Sequence, residues 1–228
     1  MHSSVLSRVS GLLLVLGGAL GVAVPALHPN HGPAYYTDHR TAPVHLLLLG
    51  AVLLVSLGIP GLVAAQGPRW RPWAALSASL VFVGEWLLDG THGIVDGAVV
   101  PALVQHGAVG AVHGATRGAG LADVLAAGPL GTLVDVGVPV MIVGCIALGV
   151  VLARGGVVPR WVAVLLACCW VLVPVSFVAP AVRGFDVALP YVAFLALGGA
   201  LLRPSRVGAA DAHGARSVGA LARLATSE

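Results

Sequence analysis

VHLLLLGAVLLVSLGIPGLVAA, residues 44–65, runs for 22 positions with a single ionisable side chain, His45. A helix of that length reaches about 33 Å, enough to cross a hydrocarbon core of about 30 Å. The run lacks the alternation of a barrel strand, and lipid admits only helices or closed barrels. It therefore reads as a transmembrane helix. Five further apolar runs follow the same logic, at residues 9–27, 73–92, 130–153, 161–182 and 185–202. The expected fold class is all-α, a polytopic membrane helix bundle of six transmembrane helices with cytoplasmic N and C termini. Residues 1–202 would form the bundle, and 203–228 a basic cytoplasmic tail without fixed structure.

Composition points the same way. Of 228 residues, 58% are hydrophobic and 9% charged, with mean hydropathy +0.97. A soluble domain carries about 25% charged residues, so this chain has too few to cover a water-facing surface. All twelve basic residues are Arg. With the Ala, Gly and Val excess, that usage is typical of a GC-rich genome such as an actinobacterium's. The net charge of +3 sits mainly in loops and tail, and no basic patch interleaves with aromatics, so a nucleic-acid partner is not expected. Cys145, Cys168 and Cys169 lie in apolar runs without CxxC spacing, which reads as helix packing rather than a disulfide or zinc framework.

The arginines orient the bundle. With the N-terminus inside, nine of them (Arg8, Arg69, Arg71, Arg154, Arg160, Arg203, Arg206, Arg216, Arg223) fall on the cytoplasmic side and three (Arg40, Arg117, Arg183) outside. That is the positive-inside asymmetry, and Trp70, Trp73 and Trp161 mark the inner interface. The first span has a second reading, a cleaved signal peptide with Arg8 as its basic region and Val24-Pro25-Ala26 as the cleavage site. Its apolar run is long for that. Residues 90–128 are open between an extension of the third helix, a re-entrant segment and a surface stretch. Gly17 and Gly21 form a GxxxG pair, and Gly110, Gly114 and Gly118 recur every four residues, as close helix contacts would require.

Ionisable side chains within a span cost several kcal/mol and usually serve a function. Glu85 lies roughly 18 Å and Asp89 roughly 24 Å above Trp73, while Asp135 lies roughly 8 Å below the outer end of the fourth span. Glu85, Asp89, His92 and Asp96 stand at i, i+4, i+7 and i+11, one stripe if the helix continues. Seven of nine histidines fall on the outer side: His28, His31, His39, His45, His92, His106 and His113. The candidate site is accordingly Glu85, Asp89, His92 and Asp135, with His28 and His45 in support. Two carboxylates and a histidine on one face can hold a divalent metal ion or relay protons.

Leu27-His28-Pro29 at the end of the first helix, Ala42-Pro43-Val44-His45-Leu46-Leu47-Leu48-Leu49-Gly50 opening the second, and Val158-Pro159-Arg160-Trp161 before the fifth together carry a resemblance. The chain resembles a loose group of bacterial, mainly actinobacterial, six-helix integral membrane proteins. The resemblance implies the architecture and no particular activity. The expected location is a bacterial cytoplasmic (plasma) membrane.

The expected function is therefore binding or movement of a cation or proton at an outer-face cluster, in a protein more readily read as a non-enzyme. The alternatives are a membrane-embedded metal hydrolase, haem held between His28 and His45, and a structural or accessory subunit. The lipid bilayer is the expected partner, with a homo-oligomer or another membrane subunit suggested by the Gly-rich faces. No HExxH, GxSxG or P-loop signature occurs.

Overall fold

The computed structural model describes residues 2–29, 35, 38–106, 129–178 and 185–203. Among them every regular element is helical. The helices are α1 (His2–Leu27), α2 (Thr41–Ala64), α3 (Arg71–Gln105), α4 (Pro129–Gly155), α5 (Arg160–Cys169), α6 (Leu172–Val178) and α7 (Phe185–Leu202). Four are long and apolar enough to cross a membrane: Val5–Leu27 of α1, all of α2, all of α3, and Gly131–Gly155 of α4. Arg160–Val175 and Val187–Leu202 are apolar but shorter. Residues 204–228 of the tail and Gly110, Gly114 and Gly118 lie outside the described residues.

Two spans differ from expectation. The fifth, expected as one helix over 161–182, breaks at Trp170 and Val171. Pro174 has no N–H to offer the Trp170 carbonyl four residues back. That carbonyl instead accepts from Val173 N–H at 3.2 Å, and Val171 N–H turns back to Cys168 O at 3.2 Å, tightening the chain. The third span does not end near residue 92. It continues to Gln105, 35 residues and about 52 Å of helix, so residues 90–105 extend α3.

That extension is not uniform. Trp86–Gly90 and Val95–Val99 are π-helical turns. In the first, the Trp86 carbonyl accepts from Thr91 N–H, five residues on, and from the Thr91 hydroxyl at 3.2 Å. Gly90 makes room for the Trp86 indole, whose Nε1–H is pinned to Ser56 Oγ on α2 at 3.1 Å. A π residue advances less than the ~100° of an α residue, so side chains beyond each turn face a new direction.

The helices close a ring. α1 packs on α2, α2 on α3, α3 on α4 and α4 on α5, while α7 packs on both α1 and α5. Small residues bring the backbones together. Gly84 and Gly144 sit on the α3–α4 seam, where any side chain would meet Met141 or Val81. Gly17 and Gly21 serve different neighbours: Gly17 abuts Ala51 and Val55 of α2, and Gly21 lies under the Tyr191 ring of α7. Gly156 ends α4 in the left-handed region (φ 68°), its N–H bonded to Leu152 O.

Candidate functional site

Glu85, Asp89 and Tyr191 meet inside this ring. Glu85 and Tyr191 are fully buried, and Asp89 is 8% exposed. Tyr191 reaches from α7 across the interior to α3, placing its hydroxyl oxygen 2.8 Å from Glu85 Oε1 and 2.9 Å from Asp89 Oδ2. The reach depends on Gly21, because a Cβ there would fall within the Tyr191 ring. Glu85 Oε2 is buried and has no hydrogen-bond partner among the described residues. Glu85 ends the regular part of α3 and Asp89 lies in the first π-turn, so the wide turn keeps both carboxyls toward α7.

A second polar group occupies the end of the bundle where α1 stops and α2 starts. His45 is 4% exposed, and its Nδ1–H donates to the Thr41 carbonyl at 2.8 Å. Its Nε2 lies 3.2 Å from the Tyr35 hydroxyl and 3.5 Å from Asp96 Oδ2. His28 Nδ1–H donates to Pro29 O at 2.8 Å, and its Nε2 lies 3.3 Å from the same Tyr35 hydroxyl. The two imidazoles stand edge to face, 5.1 Å between centroids and joined through Tyr35, rather than facing each other across a gap for haem iron.

The six expected site residues thus separate. Glu85 and Asp89 come together on α3, and His28 and His45 come together separately, where α1 ends and α2 begins. His92 is exposed and returns its Nδ1–H to Leu88 O of its own helix at 3.0 Å. Asp135 is exposed on α4. It stands roughly 200° around the helix from Gly137, the residue that abuts Leu87 and Leu88, and so does not join the acids of α3. Asp96, the second residue of the second π-turn, leaves the expected stripe because the first π-turn rotates it toward α2 and His45. Among the described residues, no three His, Cys, Asp or Glu side chains converge as a metal ion requires. His31 and His113 lie outside the described residues.

Tyr191 and Tyr35 were not legible as site residues from spacing. A signal existed for Tyr191, the one tyrosine within an apolar run, whose hydroxyl needs a partner when buried. Cys145 and Cys169 are buried in the same apolar core, consistent with a packing role, and Cys168 is exposed.

The chain enters α2 through Asp38, whose carboxylate accepts from Arg40 N–H at 2.8 Å and from Arg40 Nη2 at 2.8 Å. The Arg40 side chain, and then its backbone N–H, hold the Asp38 carboxyl down at about 2, against 3.8 ordinarily. The folded value lies below the unfolded one. The pair therefore stabilises this turn above the ordinary carboxylate range and loses that contribution as pH falls through about 2. Solvent screens the pair, so Asp38→Asn is expected to lower thermal stability slightly at neutral pH and not at all well below pH 2. Melting curves across pH check this, and an equal loss at every pH would contradict it.

No family model, curated protein or solved structure matches this chain.

Proposed function

We propose that this chain crosses a bacterial plasma membrane six times, with both termini cytoplasmic, and binds an exchangeable proton between Glu85 and Asp89. In this reading the His45–Asp96 pair exchanges protons at the outer end. Four membrane-length helices and the nine-to-three arginine asymmetry support the placement.

The observation that carries the reading is one hydroxyl within hydrogen-bond distance of two carboxyls. Tyr191 has one hydrogen to give, and an ionised carboxylate only accepts. If both acids were ionised, one oxygen–oxygen contact below 3 Å would lack a hydrogen and set like charges side by side. With one acid protonated, Tyr191 donates to the carboxylate and accepts from the neutral acid, and both contacts are satisfied. No described cation pairs with Glu85, and its buried Oε2 would carry uncompensated charge if ionised.

His45 extends the same chemistry. Its two ring nitrogens face the Thr41 carbonyl and the Asp96 carboxylate, and an imidazolium donates to both. Tyr35 can then donate to His28. Each group holds a proton between acceptors, beside one of the two π-turns of α3, a kind of irregularity frequent at functional sites.

Infrared spectroscopy of the purified chain tests the reading. The carbonyl stretch of a protonated carboxylic acid is expected at neutral pH, lost in Glu85→Gln or Asp89→Asn and shifted in Tyr191→Phe. A wild-type spectrum without that band at neutral pH would remove the proposal.

A further inference from the structure

We propose that a groove between α2 and α3 binds one acyl chain of an anionic phospholipid, with the phosphate held by Arg71. The inference rests on the membrane placement above but not on the proton site. The groove opens to the surface and has a volume of about 860 Å³, within the range of small-molecule sites. Ile59, Pro60 and Val63 line it from α2, and Ala75, Ala78 and Phe82 from α3. It exists because the start of α3 carries small residues, Ala75, Ala78 and Ser79, that leave the space beside α2 unfilled.

Charge and length choose the occupant. Arg71 is the one charged side chain among the lining residues, and it sits at one extremity. Its Nη2 donates to Gln66 O at 3.2 Å, which employs one of five N–H donors and turns the guanidinium toward the helix ends. No described carboxylate pairs with it. From Arg71 to Phe82 the helix rises about 17 Å, close to half the ~30 Å hydrocarbon thickness. A phosphate at Arg71 would therefore leave one chain lying along the groove within a single leaflet. Beside it Trp73 is 59% exposed, and Arg69 stacks on Trp70, as interface anchors do. At the far end Ser56, which lines the groove, accepts from Trp86 Nε1–H at 3.1 Å.

The test is native mass spectrometry of the full chain in neutral detergent with phosphatidylglycerol or phosphatidylcholine added. One phosphatidylglycerol is expected to be retained at least ten-fold more tightly than phosphatidylcholine. Arg71→Gln should abolish that preference, and Ala75→Phe, which fills an exposed stretch of groove, should displace both lipids. Glycerol phosphate, with no chain, should not compete. Equal wild-type retention of the two lipids, or no retention, overturns the proposal; so does an undiminished preference in Arg71→Gln, wild-type binding in Ala75→Phe, or full competition by glycerol phosphate. Alkaline carbonate extraction separates the two inferences. Release of the chain from membranes defeats the membrane placement itself, whereas a retained chain without lipid selectivity defeats only the groove.

Discussion

Tyr191→Phe is expected to destabilise the folded chain by about 3 kcal/mol, because a buried polar group that loses its partner costs most of its desolvation penalty. The phenyl ring still fills the space between α1, α3 and α7. The variant removes only the hydroxyl that lies 2.8 Å from Glu85 Oε1 and 2.9 Å from Asp89 Oδ2. Glu85 then has neither oxygen paired among the described residues, since Oε2 already lacks a partner. Replacing both sides of a buried polar contact by apolar groups of similar shape can be nearly neutral. The double variant Tyr191→Phe/Glu85→Met should therefore be more stable than Tyr191→Phe alone. Thermal unfolding in detergent of the wild type, both single variants and the double variant forms the cycle. Strict additivity, or a Tyr191→Phe variant as stable as wild type, would mean that the hydroxyl does not hold the acids.

Gly21→Leu should have an effect at least as large through packing alone. A Cβ at Gly21 would fall within the Tyr191 ring, and Gly18 is nearly as tight against Leu195. Overpacking a filled core costs about 1–3 kcal/mol and occasionally more. Here the upper end is expected, because the ring is fully buried and its hydroxyl is tied to two carboxyls. Relief would require α7 to move from α1, which also withdraws the hydroxyl from Glu85. The variant should thus lose both stability and the protonated-acid infrared band. Gly50→Leu is the control: nothing lies within 4 Å of a Cβ there, and a change within about 0.5 kcal/mol is expected. Equal melting temperatures for the two variants would contradict the close approach of α1 and α7.

The two variants also show where reading along the chain stops. The apolar length of α2 and the near-absence of charge decide a helical, membrane-length architecture before any contact is known, because solvation of a side chain depends on its type. Glu85 and Asp89 are conspicuous for the same reason: an acid amid Leu, Val and Phe is expensive wherever the helix goes. The bounds of α7, Phe185–Leu202, match its apolar run. Asp135 lies in an equally apolar run, yet it faces outward. Sequence distance and depth carry no information about helix rotation, and rotation separates it from Asp89.

By itself, then, the sequence determined that the chain is helical, that several helices could cross a membrane, and that two acids of α3 need company. Tertiary structure alone decided who supplies it. The Tyr191–Glu85 contact joins residues 106 positions apart. It depends on glycines that let α7 approach α1. The meeting of Asp96 with His45 depends on the π-turn at Trp86–Gly90, which breaks the 3.6-residue period on which any stripe is drawn. The cost of burying a charge is a local property of residue type and neighbours. The partner that offsets it is set by helix rotation and spacing, which exist only once the ring has closed.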